Sequence, residues 1–387
     1  MNSDKSQPQL PLAQVKGSWE DRIAHVARLL SKDDPTALAQ SQALIDRLGR
    51  IPAAQRAAAD HRLDRALIAA LQNQARHLAA EEQYEGAAST LWDGARLFAG
   101  ETAREMELAA LTYLICSGAT TAPLGALEIL AAAGDIDEWA ELVTAATQSG
   151  EYAVARRGLE QAERWVNQTH QAALDTPAAK RDQALLASMK ARYAVAQDNF
   201  AEAVAWYEHA MALDDFFSKN PSYLYRSLVN KGAFTEAEVL LKAEDDPVLA
   251  NFWRGLSEYR KGRFEPASKY WLKVTQGERP VNDARGTLES VLSHYYLGDE
   301  SGKGLARVLE LLNLTHDSWG AFYLAGLGWA MRDDIVTAKQ DLRLAVKIYR
   351  ADGGGRLLPN DAWLYCRDLL DDEKCELLKE FFDHATL

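Results

Sequence analysis

Apolar and small residues recur along this chain in one register: Gly or Asp, an aromatic two residues on, Ala three further, and a bulky apolar residue four beyond that. It is clearest from Gly150 to Leu159, Asp198 to Tyr207, Gly232 to Leu241 and Gly262 to Trp271, with weaker copies from Glu82 to Leu91 and Asp333 to Leu342. Steps of three and four place these residues on one face of a helix, so each copy predicts an amphipathic helix. The central alanines act as a ruler. Ala203 to Ala237 is 34 residues and Ala87 to Ala155 is twice that. Ala155 to Ala203 carries 14 extra residues, which the polar stretch Asn167 to Lys180 can hold, and Ala237 to Ala267 has shrunk to 30. A recurring step of this length predicts stacked helix pairs, because one pair cannot bury its apolar face without neighbours.

A second set of positions supports the pairing. Twelve residues before the central Ala stand Ala75, Ala191, Gly255 and Gly326, and seven after it stand Ala162, Ala210 and Ala345. Small side chains there let the two helices of a pair cross closely, and the bulky residue four after Ala fills the adjacent gap. Val143 and Tyr225 break the rule, and a closing proline is clear only at Pro247. With these residues in phase, the stretch Leu71 to Arg350 resembles the tetratricopeptide repeat (TPR) superfamily. The resemblance implies an all-α fold, a right-handed α-solenoid of stacked antiparallel helix pairs.

Around that array, residues 1–16 have no periodicity and are expected to form a disordered tail. Residues 17–70 are expected to be N-terminal helices capping the solenoid, with Trp19 to Leu30 one helix and the Ala-rich stretch Pro52 to Glu81 one long helix. Residues 71–350 form the repeat array, with the insertion near 167–180. Residues 351–387 hold a C-terminal capping pair, Asn360 to Leu370 and Asp372 to His384.

Composition narrows the function classes. The 387 residues are 48% hydrophobic and 26% charged, as in an ordinary folded protein. A net charge of −13 opposes general binding to nucleic-acid backbones. Cys116, Cys366 and Cys375 are too few for a disulfide framework or a tetrahedral zinc site. The eight histidines form no i, i+4 pair, so no metal and no cofactor is expected. The N-terminus lacks the apolar core of a secretory signal, which points to a cytoplasmic protein. Leu108 to Leu127 has no charge, but Gly118, Pro123 and Gly125 divide it into a helical hairpin, so no membrane insertion is expected. Gly298 to Gly304 is too short for a phosphate loop and has Gly where Ser or Thr would bind magnesium; it reads as a turn whose Gly304 is a small repeat residue. Trp139, Trp206, Trp271 and Trp329 fall at packing positions, which assigns them to the core.

One charge pattern stands out. Between Lys180 and Lys269 the first helices of the repeats carry Lys190, Arg192, Arg226, Lys231, Arg254, Arg260 and Lys261, and the second helices carry Glu202, Glu208, Glu236, Glu238 and Glu265. In proteins that this chain resembles, first helices line the concave groove. The resemblance therefore implies a channel presenting Arg192, Arg226, Asn230 and Arg260, interleaved with Tyr223, Trp253 and Tyr259, to an acidic peptide or protein partner. Ordinary solvated faces would show the same charges. The expected function is a non-enzymatic interaction scaffold, with a structural subunit of a larger assembly as the alternative.

Overall fold

A computed structural model describes residues 18–30, 32, 34–58, 61–118, 135–171, 175–214, 222–242, 244–277, 287–315 and 318–383. The expected disordered tail at 1–16 lies outside the described residues, as does most of the second half of the Leu108 to Leu127 hairpin. The described chain is helical, with no strand and one isolated bridge between Leu358 and Phe382. No described helix is long and apolar enough to cross a membrane.

Two compact units form, residues 1–117 with 350–353, and residues 118–349 with 354–387. The first contains α1 (Trp19–Leu30), α2 (Ala37–Gly49), α3 (Ala53–Ala58), α4 (Arg62–Ala80), α5 (Tyr84–Ala95) and α6 (Glu101–Cys116). Its core runs from Val26 through Leu44, Leu48, Leu67 and Leu71 to Tyr84, Leu91 and Met106. The long helix expected from Pro52 to Glu81 is divided into α3 and α4, with His61 at φ 55° between them. Arg56 fixes this break: it is buried and donates to Asp64 at 2.7 Å and to the carbonyls of Ile51 and Leu97.

The second unit begins with α7 (Ile136–Gln148), α8 (Tyr152–Thr169), α9 (Pro177–Ala196) and α10 (Phe200–Leu213). It continues with α11 (Ser222–Asn230), α12 (Phe234–Leu241), α13 (Pro247–Arg260), α14 (Phe264–Gln276), α15 (Thr287–Tyr296), α16 (Lys303–Leu314), α17 (Trp319–Met331) and α18 (Ile335–Ala351). It ends with α19 (Asn360–Leu369), α20 (Asp372–Leu378) and a 3-10 turn, Lys379–Phe381. Much of the 14-residue excess goes into helix: α8 has 18 residues and α9 has 20, started by the Thr176 hydroxyl cap and Pro177.

The residue that opens each copy of the register is the turn between the two helices of a pair. Gly150, Gly232 and Gly262 have φ of 77°, 78° and 75°, and Asp198, Asp333 and Glu82 have φ of 58°, 64° and 63°. This left-handed conformation reverses the chain tightly; Gly takes it without strain and Asp takes it more readily than most residues. The small positions work as size partners. A Cβ on Gly255 would come within 2.5 Å of the Trp271 indole, and one on Gly326 within 2.9 Å of Leu342, the bulky residue of the same pair in each case. Where Val143 replaces the small residue, the glycine has moved across the contact to Gly158, whose added Cβ would lie 2.8 Å from Val143. Gly304 packs against Tyr295, and the Asp299 carboxylate accepts from the Gly304 and Leu305 amides. That carboxylate takes the donors a phosphate would need.

The C-terminal segment covers two surfaces. α20 and the turn after it cap α18 and the turn leading into it, through Lys339 to Glu380 at 3.1 Å, Lys374 to Asp333 at 2.6 Å and the Arg343 guanidinium over Phe381. α19 instead lies against the first helices α11, α13, α15 and α17.

Candidate functional site

The basic and aromatic residues singled out on the first helices fall into four groups. Arg192 on α9 is half-buried and donates to the Thr144 hydroxyl at 3.2 Å. Trp253 on α13 is fully buried against Phe252 and belongs to the core, which leaves it no surface to offer a partner. Trp139 and Trp271 are likewise core residues. Tyr223 stands on α11 in the backbone, and its side chain lies outside the described residues. The remaining four, Arg226, Asn230, Tyr259 and Arg260, come together around α19.

Asp368, near the C-terminus of α19, is the centre of this cluster. Its Oδ2 accepts from Arg260 Nη2 at 3.1 Å and from the Tyr296 hydroxyl at 2.5 Å, and its main-chain carbonyl accepts from the Tyr259 hydroxyl at 3.0 Å. Further along α19, the Tyr323 hydroxyl donates to the Ala362 carbonyl at 2.8 Å. Tyr259, Trp271 and Tyr296 pack ring on ring behind these contacts, Trp271 and Tyr296 stacked at 4.4 Å. The Arg260 guanidinium also lies over the Tyr365 ring at 5.9 Å.

The Arg260–Asp368 pair is removed from water, with side-chain exposures of 12% and 19%. Burial opposes the charge on both. For Arg260 the opposition is outweighed by Asp368, Tyr296 and Tyr365, and its pKa is raised. For Asp368 burial prevails over Arg260 and the two hydrogen bonds, and its pKa is raised as well. The guanidinium is therefore well served by its site and the carboxylate less so. Burial also pushes the Tyr296 and Tyr365 phenols far above their ordinary value, so both remain hydrogen-bond donors at neutral pH.

Beside the cluster lies a cavity of about 870 Å³. Leu288 of α15, Leu311 and Leu314 of α16, and Trp319, Ala321 and Leu324 of α17 form its apolar walls. Arg226 of α11 and Asp361 of α19 are its charged groups, and Thr287, Thr315, Ser318, Tyr323 and Tyr365 add hydroxyls. The Tyr365 hydroxyl and the Asn230 side-chain amide are buried side by side, with Asn230 the hydrogen-bond neighbour of the phenol. Among the described residues, no group of three or more His, Cys, Asp or Glu is placed to hold a metal.

The basic side of this site was visible as charge on the first helices. Its acceptors were not: Asp368, Tyr365, Tyr296 and Tyr323 lie on elements whose spacing marks them only as helix. The charge pattern did not single out Arg260, because Lys190, Lys231, Arg254 and Lys261 on the same helices pair with nearby acids, Glu163, Asp198, Glu238 and Glu258.

No family model matches the chain, and no curated protein matches it. Among solved structures it is similar to the "Structure of Naa15/Naa10 bound to HypK-THB", at 14% identity over 94% of this chain with a TM-score of 0.32. The chain spans 66% of the length of that protein. It is also similar to the P58(IPK) TPR domain, at 14% identity over 94% of this chain and 99% of that one, with a TM-score of 0.21. The left-handed turn that opens each pair and the small-against-bulky crossings make this an all-α fold of helix pairs packed in sequence.

Proposed function

We propose that this protein is a non-enzymatic interaction scaffold whose first helices grip an acidic peptide or protein segment. The observation that carries the proposal is how the second unit holds α19. Hydroxyls from α13, α15 and α17 and one guanidinium from α13 meet two carbonyls and the partly buried Asp368 carboxylate of a short helix. Donors on successive repeats facing backbone oxygens and an acid are the chemistry that recognises an acidic segment in general. Here part of that face is taken by the chain's own helix, so a partner would use the first-helix surface around Arg192 and Arg226. Arg192→Glu combined with Arg226→Glu is expected to abolish capture of the partner from the source cell while helicity is retained. Equal capture by the wild type and the double variant would refute this face.

A second reading has its own support. Val239 on α12 and Phe264 and Leu272 on α14 are large apolar side chains exposed by 44%, 60% and 47% on second helices. That exposure suits a subunit of a larger assembly. Sedimentation across a concentration range separates the two, because the scaffold is expected to remain a monomer and the subunit to associate.

A further inference from the structure

Two of the three cysteines meet where α19 is followed by α20. Cys366 lies in the last turn of α19 and Cys375 in the first turn of α20, both in the core of the second unit, with exposures of 0% and 8%. The Cys375 sulfur stands 3.9 Å from the Cys366 carbonyl oxygen and 3.7 Å from that of Leu370, in the link between the helices. The two thiols also share a hydrogen bond. A free cysteine can serve as a small core residue, but two sulfurs in contact across a turn also have the proximity that a disulfide requires.

The pair sits between two anchorages. On one side Asp368 holds α19 to Arg260 and Tyr296, and on the other Lys374 holds α20 to Asp333. A bond between the sulfurs would join these attachments into one.

We infer that Cys366 and Cys375 form a reversible disulfide that fastens α19 to α20, made by exchange with a small-molecule disulfide of the glutathione class. The Cys375 sulfur, the more exposed of the two, attacks one sulfur of glutathione disulfide, and the other half leaves as a thiolate. The Cys366 sulfur then attacks Cys375 in this mixed disulfide and releases the second glutathione thiolate. Two protons and two electrons pass from the protein to the oxidant, which ends as two thiols. Burial raises both protein thiols above their ordinary pKa; the hydrogen bond between them adds to the rise at Cys366 and offsets part of it at Cys375. Exchange is therefore slow, while its equilibrium is set by how closely the fold holds the pair. Once closed, the bond would keep α19 on the first helices through α20 as well as through Asp368.

The test is incubation of the folded full chain for hours in glutathione buffers of graded oxidised-to-reduced ratio, followed by acid quench, alkylation and tryptic mapping. The expected product is the peptide Leu357–Arg367 joined to Cys375–Lys379, about 2 Da lighter than the two reduced peptides together. Closure is expected to raise the urea midpoint and slow amide exchange in α19, and dithiothreitol to reverse both. Cys366→Ser is expected to stop at a glutathione adduct on Cys375, with no rise in midpoint. Absence of the joined peptides at the most oxidising ratio would overturn the inference. So would joined peptides that form only in urea, a midpoint lowered by oxidation, or a glutathione adduct on Cys375 that persists in the wild type as it does in Cys366→Ser.

Discussion

Gly255→Ala tests whether the repeat register is a record of helix crossing. Alanine is the better helix former by about 0.8–1.0 kcal/mol in a helix interior, so propensity alone predicts a gain in α13. The contact predicts the reverse. An added Cβ would lie 2.5, 2.8 and 2.9 Å from Nε1, Cδ1 and Cε2 of Trp271, all on a rigid ring. That ring is 1% exposed and stacked on Tyr296, so it has nowhere to turn. Overpacking of this kind costs about 1–3 kcal/mol, and with three atoms in conflict the upper half of that range applies. The net expectation is a loss of about 1–2 kcal/mol, read as a lower urea midpoint by circular dichroism.

Two companions make the result interpretable. In a Trp271→Leu background the conflict is gone, so the same Gly255→Ala change is expected to be neutral or stabilising, a coupling of about 1–3 kcal/mol. Gly86 in α5 is the control: its added Cβ would meet Leu78 at 3.7 Å, an ordinary contact. Gly86→Ala is therefore expected to gain about 0.5–1 kcal/mol. If Gly255→Ala is as stable as the wild type, or if its penalty persists without Trp271, the small position is not set by helix crossing and the reasoning fails.

Gly232→Ala meets no atom within 4 Å but must adopt φ 78°, so urea unfolding should show a loss of about 1–2 kcal/mol from backbone strain alone. Arg260→Glu would set a second carboxylate against Asp368 in a partly buried site and should cost up to about 3–5 kcal/mol; an unchanged urea midpoint would contradict the pair. Asp368 has a raised pKa when folded, so its contribution is fully present below the ordinary carboxylate value and is lost as pH rises through the folded one. The urea midpoint of the wild type minus that of Asp368→Asn should therefore fall as pH is raised from about 4, and a flat or rising difference would refute the assignment.

Most of the helix-pair frame could be read from residue spacing because each rule behind it acts within one pair. Ala267 and Trp271 answer Gly255, and Ala338 and Leu342 answer Gly326, over distances of a dozen residues or so. The register's first residue was legible as a recurring Gly or Asp, but its cause, a left-handed turn, needed the backbone. Where the register seemed to fail at Val143, the rule held with its partners exchanged, since Gly158 is small instead. A search for small residues at one fixed position cannot see that exchange. The split between α3 and α4 was hidden for a different reason: Arg56 secures it through acceptors as far away as Leu97.

The site follows the opposite logic, and α19 shows why. From its sequence, Asn360 to Leu369 is an amphipathic helix near the end of a repeat array, for which capping is the natural expectation. The helix Asp372–Leu378 meets the last pair, where Lys374 pairs with Asp333. α19 is drawn elsewhere by Asp368. A carboxylate loses hydration wherever it is buried, and it can be buried here only because Arg260 and Tyr296 supply donors from two repeats. Arg260 and Asp368 are 108 residues apart, beyond the reach of any periodicity. Most of the positive charge on the first helices is met nearby, Lys190 by Glu163, Lys231 by Asp198 and Arg254 by Glu238, but Arg260 is met by a single acid in the C-terminal segment. Arg226 stands outside that pairing with Asp368, at the cavity wall with Asp361 and Tyr365 of α19.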